Sequence, residues 1–124
     1  MSSEDGRPPV WVGHITMETD RLEESEAFME QIGMRPMFRG DDVAVMELRG
    51  GTHLVLLKRN EVKSDDAAFD LMVDDIDATY ADFAARGLGP SQIARGEIHA
   101  SFEVTEPAGH RITFNSTHVS GQPV

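Results

Sequence analysis

The 124 residues contain no cysteine. That excludes a disulfide framework and a thiolate metal centre, and it leaves histidines and carboxylates as the side chains able to hold a transition metal. Positive charge is also scarce: 11 Lys and Arg face 22 Asp and Glu, a formal net charge of −11. An excess of this sign disfavours nucleic acid and anionic membrane surfaces as partners. No apolar run approaches membrane-spanning length, and residues 1–9 (Met-Ser-Ser-Glu-Asp-Gly-Arg-Pro-Pro) lack the hydrophobic stretch of a signal peptide. The expectation is a single cytoplasmic domain, long enough to bury a core of its own.

What is present is hydrophobic patterning. After residues 1–9, read as a disordered arm, apolar and polar residues alternate from Val10 to Met17, and Asp20 stands three residues before Glu23 as a capping box would. A helix is expected from Arg21 to Ile32, with Leu22, Phe28, Met29 and Ile32 on one face and Gly33 ending it. Strands are expected over 34–39, 43–49 and 52–58, separated by Gly40-Asp41-Asp42 and Gly50-Gly51. A charged connector (59–66) leads to a strand over 67–73. Asp74 or Asp75 then caps a helix that carries Ile76, Tyr80 and Phe83 to Gly87. Strands over 88–95, 98–105 and 110–116 follow, the last two joined by Glu106-Pro107-Ala108-Gly109, and 117–124 is a polar tail expected to fray.

The pattern occurs twice. Asp20, Leu22, Met29, Gly33 and Pro36 lie opposite Asp74, Ile76, Phe83, Gly87 and Pro90 at an offset of 54, and Gly51, Leu54 and Leu56 lie opposite Gly109, Ile112 and Phe114 at an offset of 58. Two tandem strand–helix–three-strand units are the economical reading: residues 10–58, the connector 59–66, and residues 67–116.

Strand parity then separates two faces. Ile15 and Met17, Ala44, Met46 and Leu48, Leu54 and Leu56, Leu71 and Val73, Phe102 and Val104, and Ile112 and Phe114 form an apolar face suited to a helix. The alternate positions are mixed, with Val43, Val45, Val55, Leu57, Ala68 and Met72 beside His14, Thr16, Glu47, His53, Asp70, His99, Ser101, Glu103, Arg111, Thr113 and Asn115. Such a face is either half-wetted sheet or the wall of a small-molecule cavity. On the cavity reading the ligand-contacting residues are His14, Thr16, His53, Val55, Ala68, Asp70, Met72, Ser101, Glu103, Arg111 and Thr113. His14 and Glu103 are the candidate acid–base groups, and Arg111 could pair a ligand anion or form a salt bridge to Glu103 or Asp70. Trp11, on the parity opposite His14, reads as packing or dimer surface.

Gly13-His14-Ile15-Thr16-Met17 with Asp20, Ser25, Phe28 and Gly33 resembles the opening of the vicinal oxygen chelate superfamily, which includes glyoxalase I, bleomycin resistance proteins, fosfomycin resistance enzymes and extradiol dioxygenases. Val73-Asp74-Asp75-Ile76-Asp77, Ala85-Arg86-Gly87 and Glu106-Pro107-Ala108-Gly109-His110-Arg111-Ile112 are similar to the corresponding parts of its second unit. The resemblance implies an α+β fold of paired βαβββ modules whose curved mixed sheets enclose a cavity, and a homodimer with two sites. In metal-dependent members the ligands would fall at His14, Val55, Ala68 and Thr113, of which only His14 is a ligand type. Two functions stay open. One is a binder of a small organic molecule that uses neither a metal nor another cofactor. The other is a metal-dependent lyase, isomerase, thiol transferase or dioxygenase holding Zn, Fe, Mn or Ni through His14 with His53, Asp70, His99 or Glu103.

Overall fold

In the computed structural model, which describes residues 5–118 and 121–124, the duplication is complete in topology. Strand β1 (His14–Thr19), helix α1 (Leu22–Gln31) and strands β2 (Arg35–Arg39), β3 (Val43–Glu47) and β4 (His53–Lys58) form the first module. Strand β5 (Asp66–Val73), helix α2 (Ile76–Ala85) and strands β6 (Ala94–Arg95), β7 (Ala100–Thr105) and β8 (Arg111–Ser116) form the second. The two sheets have the orders β1-β4-β3-β2 and β5-β8-β7-β6. In each, the first strand pairs in parallel with the last and the other pairings are antiparallel.

Both helices stop by the same device. Gly33 and Gly87 take positive φ angles of 120° and 75°. The Gly33 N–H donates to the Glu30 carbonyl and the Met34 N–H to that of Met29; the Gly87 and Leu88 N–H groups donate to Ala84 and Phe83. This six-to-one plus five-to-two pattern is the Schellman motif, which satisfies carbonyls that a helix end leaves bare. The starts differ. Asp75 caps α2 by accepting the Ala78 N–H at 2.9 Å. Asp20 does not cap α1: Arg21 is the capping residue, and its own N–H is taken by the Thr19 hydroxyl at 3.0 Å.

Two strands depart most from their expected bounds. Strand β1 begins at His14 rather than Val10, because residues 10–13 reach the sheet only through the Val12 carbonyl, bonded by the Thr52 hydroxyl, and the Gly13 carbonyl, bonded by the His53 N–H. Val10, Trp11 and Val12 are left exposed. The strand expected over 88–95 contracts to Ala94–Arg95. Gly89 has a φ of 63° and Pro90 has no N–H to offer a ladder, and Ser91 instead clasps β7 from outside regular pairing, donating its N–H to the Glu103 carbonyl and accepting the Glu103 N–H on its hydroxyl. Of the expected arm and tail, residues 1–4, 119 and 120 lie outside the described residues.

Parity sorted the core correctly. Met17, Ala44, Met46, Leu54 and Leu56 are buried against α1 and its Met29, and Phe102, Val104, Ile112 and Phe114 against α2 and its Phe83. The first module packs with thioethers and aliphatics. The second packs around an aromatic cluster in which Phe102 and Phe114 stack at 5.4 Å while Phe83 meets both edge-on, at 5.8 and 5.2 Å.

The modules are tied by a buried polar chain. Ser25 (fully buried) donates its hydroxyl to the Glu106 carboxylate at 2.9 Å, across 81 positions of sequence. With that proton spent, Ser25 accepts from the Thr19 hydroxyl at 2.7 Å, and Thr19 accepts from the Arg21 N–H. Glu106 also receives the His110 N–H, and His110 Nε2 donates to the Glu18 carbonyl at 2.7 Å. From Arg21 through Thr19 and Ser25 the donors run toward the carboxylate, and Glu106, 2 % exposed, receives the Ser25 hydroxyl and the His110 N–H.

Candidate functional site

The face of each sheet turned away from its helix carries the candidate residues. Register places them in rows. On the first sheet His14 (β1) is beside His53 (β4), His53 beside Glu47 (β3), and Glu47 beside Arg35 (β2). One polar row thus crosses all four strands. The next row is Thr16, Val55, Val45 and Phe38, and beyond it lie Glu18, Leu57 and Val43. Val43, Val45, Val55 and Leu57 are half-buried and Phe38 is exposed.

Within the polar row, His53 Nε2 lies 3.0 Å from Glu47 Oε2, and Arg35 forms an ion pair with the other Glu47 oxygen. The Arg35 guanidinium, and after it His53, hold the Glu47 carboxyl below its ordinary value. An ionised Glu47 only accepts, so His53 carries its proton on Nε2. The His14 and His53 rings stand 5.9 Å apart. Both border an open depression of about 440 Å³, together with Pro9, Val10, Trp11, Gly13 and Gly51. Trp11 borders this depression and is 70 % exposed, which leaves it available as dimer surface, but the parity argument is not what places it. That argument fails upstream of His14 because the strand has not yet begun.

On the second sheet, one row is Asp70, Thr113 and Glu103 and another is Met72, Asn115, Ser101 and Ala94. Asp70, Met72, Glu103 and also Ala68 are exposed, whereas Asn115 is 6 % exposed. Asn115 Nδ2 donates to Asp70 Oδ2, and Asn115 Oδ1, though buried, has no partner. Arg111 bonds Asp66 at 2.7 Å and approaches Asp65 at 3.6 Å, rather than Glu103 or Asp70. Asp66 raises the Arg111 pKa and occupies its guanidinium, so this residue is not poised for a ligand anion.

The proposed His and carboxylate ligand set is not assembled. His14 and His53 come together on the first sheet, while Asp70 and Glu103 lie on the second and His99 just precedes β7, its Nδ1 buried without a partner and its ring 5.6 Å from that of His118. Among the described residues no three His, Asp or Glu side chains converge on a point where a metal ion could sit. The four family positions do not fit a divalent ion either: Val55 and Ala68 offer no donor, and a Thr113 hydroxyl is a poor one. Glu47 and Arg35 were not singled out from sequence. Parity put Glu47 on the correct face, but strand register alone set it against His53.

Comparison with known proteins agrees with this architecture. Among curated protein sequences none matches the chain. Among solved structures, lactoylglutathione lyase from Agrobacterium tumefaciens is similar at a TM-score of 0.77 and 18 % identity, covering 93 % of this chain and 99 % of that one. A bleomycin resistance determinant encoded on the transposon Tn5 is similar at 0.72 and 13 %, covering 89 % and 100 %. The oxidase ChaP-H2 is similar at 0.70 and 18 %, covering 91 % and 98 %. Identities this low speak for the fold alone, but a family model described as the Glyoxalase/Bleomycin resistance protein/Dioxygenase superfamily matches residues 11–114. With two βαβββ modules in tandem and that match spanning both, the chain belongs to the glyoxalase/bleomycin resistance protein/dioxygenase superfamily.

Proposed function

We infer that this protein binds a small organic molecule between unpacked sheet faces, without the usual metal site of its superfamily, and does so as a homodimer. The observation that carries the reading is the composition of those faces. Half-buried Val43, Val45, Val55 and Leu57 supply area to desolvate a ligand, and His14, His53, Asp70, Glu103 and Thr113 supply spaced polar groups to orient it. In a single chain both faces remain largely open, and Val10, Trp11, Met37, Phe38 and Met72 add exposed apolar surface around them. A second copy laid over these residues would cover that surface and close the cavity. The similarity to a bleomycin-binding protein complexed with bleomycin supports a binding role, and the similarities to a lyase and an oxidase keep the catalytic alternative within reach of experiment.

The deciding measurement is metal content of tag-free protein, with the His14→Ala variant alongside. The binding reading expects less than about one-tenth equivalent of any transition metal and no change in the variant. Occupancy near one per chain that collapses on losing His14 would replace it with a metal-dependent enzyme built around the His14 and His53 pair.

A further inference from the structure

We propose that the unpacked face of the second sheet is a subsite for a cationic hydrogen-bond donor, such as a primary ammonium group, carried by the small molecule this protein takes up. The proposal rests on the binding reading above and adds the chemistry of the ligand. Asp70 and Glu103 flank Thr113 in one row, so their Cα atoms are two strand spacings, roughly 10 Å, apart. Among the described residues no basic side chain forms an ion pair with either: Arg111, whose charge Glu103 senses, is bonded to Asp66 and approaches Asp65. Among the described residues the Glu103 carboxylate and the Thr113 and Ser101 hydroxyls have no side-chain hydrogen bond. The row presents acceptors and negative charge that Arg111, bonded to Asp66, offsets only from a distance.

Two exposed carboxylates alone would signify only a solvated surface. The second observation is Asn115. This side chain is 6 % exposed, its Nδ2 is committed to Asp70, and its Oδ1 is buried and finds no donor. A buried acceptor without a partner carries a desolvation penalty that native structures rarely leave unmet. Met72, its row neighbour, is unbranched and 48 % exposed. Asn115 lies on the same face as the row, so a donor seated beside Asp70 and Thr113 is within side-chain reach of Asn115 Oδ1. A chelated metal ion is not the proposed occupant, because among the described residues no three His, Asp or Glu side chains converge there.

The test uses two probes that share an indole ring and a two-carbon tether and differ in terminal charge: tryptamine, a cation, and indole-3-propionate, an anion. Titration calorimetry on the full chain should give tryptamine at least an about tenfold lower Kd. Asp70→Asn and Glu103→Gln should each erase most of that preference at unchanged melting temperature, and Asn115→Leu, nearly isosteric, should weaken tryptamine and leave the anion alone. Glu61→Gln, on the connector, removes the same charge far from the row and should leave the ratio intact. Equal or tighter binding of the anion, or an equal loss in Glu61→Gln, overturns the subsite and leaves the small-molecule reading standing. Binding of neither probe to the wild type counts against both.

Discussion

Glu47 shows how one residue's meaning depends on its neighbours. An acidic side chain on a strand is ordinarily solvated, yet here it is shared between Arg35 and His53, and its carboxyl is held below the ordinary 4.5. A carboxyl with a depressed folded pKa contributes stability that is present above the unfolded value and lost as pH falls through the folded one. Thermal melts of the wild type from about pH 7 down to about pH 3 should therefore decline through the carboxylate range, and the decline should be shallower in Glu47→Gln. Parallel curves for the two proteins would mean the row contributes nothing to the fold and His53 is free. Asp74, lowered by Arg49, acts in the same direction and remains as a background in both.

Among the elements, the two helices are the clearest record of duplication. Their ends share one hydrogen-bonding device around Gly33 and Gly87, while their beginnings have diverged to an Asp75 side-chain cap in one and a Thr19-assisted turn in the other. At Gly87 an added Cβ would meet no atom within 4 Å, so substitution there tests backbone conformation by itself. Gly87→Ala should cost about 1 kcal/mol, lowering the melting temperature by a few degrees. Gly33→Ala should cost more, since its φ of 120° lies beyond the left-handed helical region that other residues occasionally visit. Equal stability of Gly87→Ala and the wild type would show that the motif relaxes without penalty. Gly109 differs in kind: a Cβ there would fall 2.5 Å from the Ser64 hydroxyl, which bonds the Ala108 carbonyl and holds the turn against the connector.

At the scale of the whole molecule, the buried chain from Arg21 through Thr19 and Ser25 to Glu106, with His110 reaching Glu18, fixes one module against the other. This leaves the outer faces, not the module junction, as the surface that the proposed dimer would cover. The single tryptophan reports on that step, because Trp11 is 70 % exposed in one chain. Sedimentation at twice the chain mass, accompanied by a blue shift of tryptophan emission as concentration rises, is the expected behaviour. A monomer with constant red-shifted emission at every concentration would remove the dimer.

The sequence by itself determined the two modules, the helix stops at Gly33 and Gly87, and the split of β1, β3, β4, β5, β7 and β8 into a helix-packed and an open face. These are local signals, carried by residue alternation and by glycine's access to positive φ, and they survive without knowledge of partners. Tertiary structure alone decided which residues stand side by side. The His14, His53, Glu47 and Arg35 row depends on the register of three strand pairs, the capture of Arg111 by Asp66 on a contact across 45 positions, and the exposure of Trp11 on where β1 starts to pair. Register and long-range pairing are set by the mutual fit of segments distant along the chain, for which no short window of sequence holds the information.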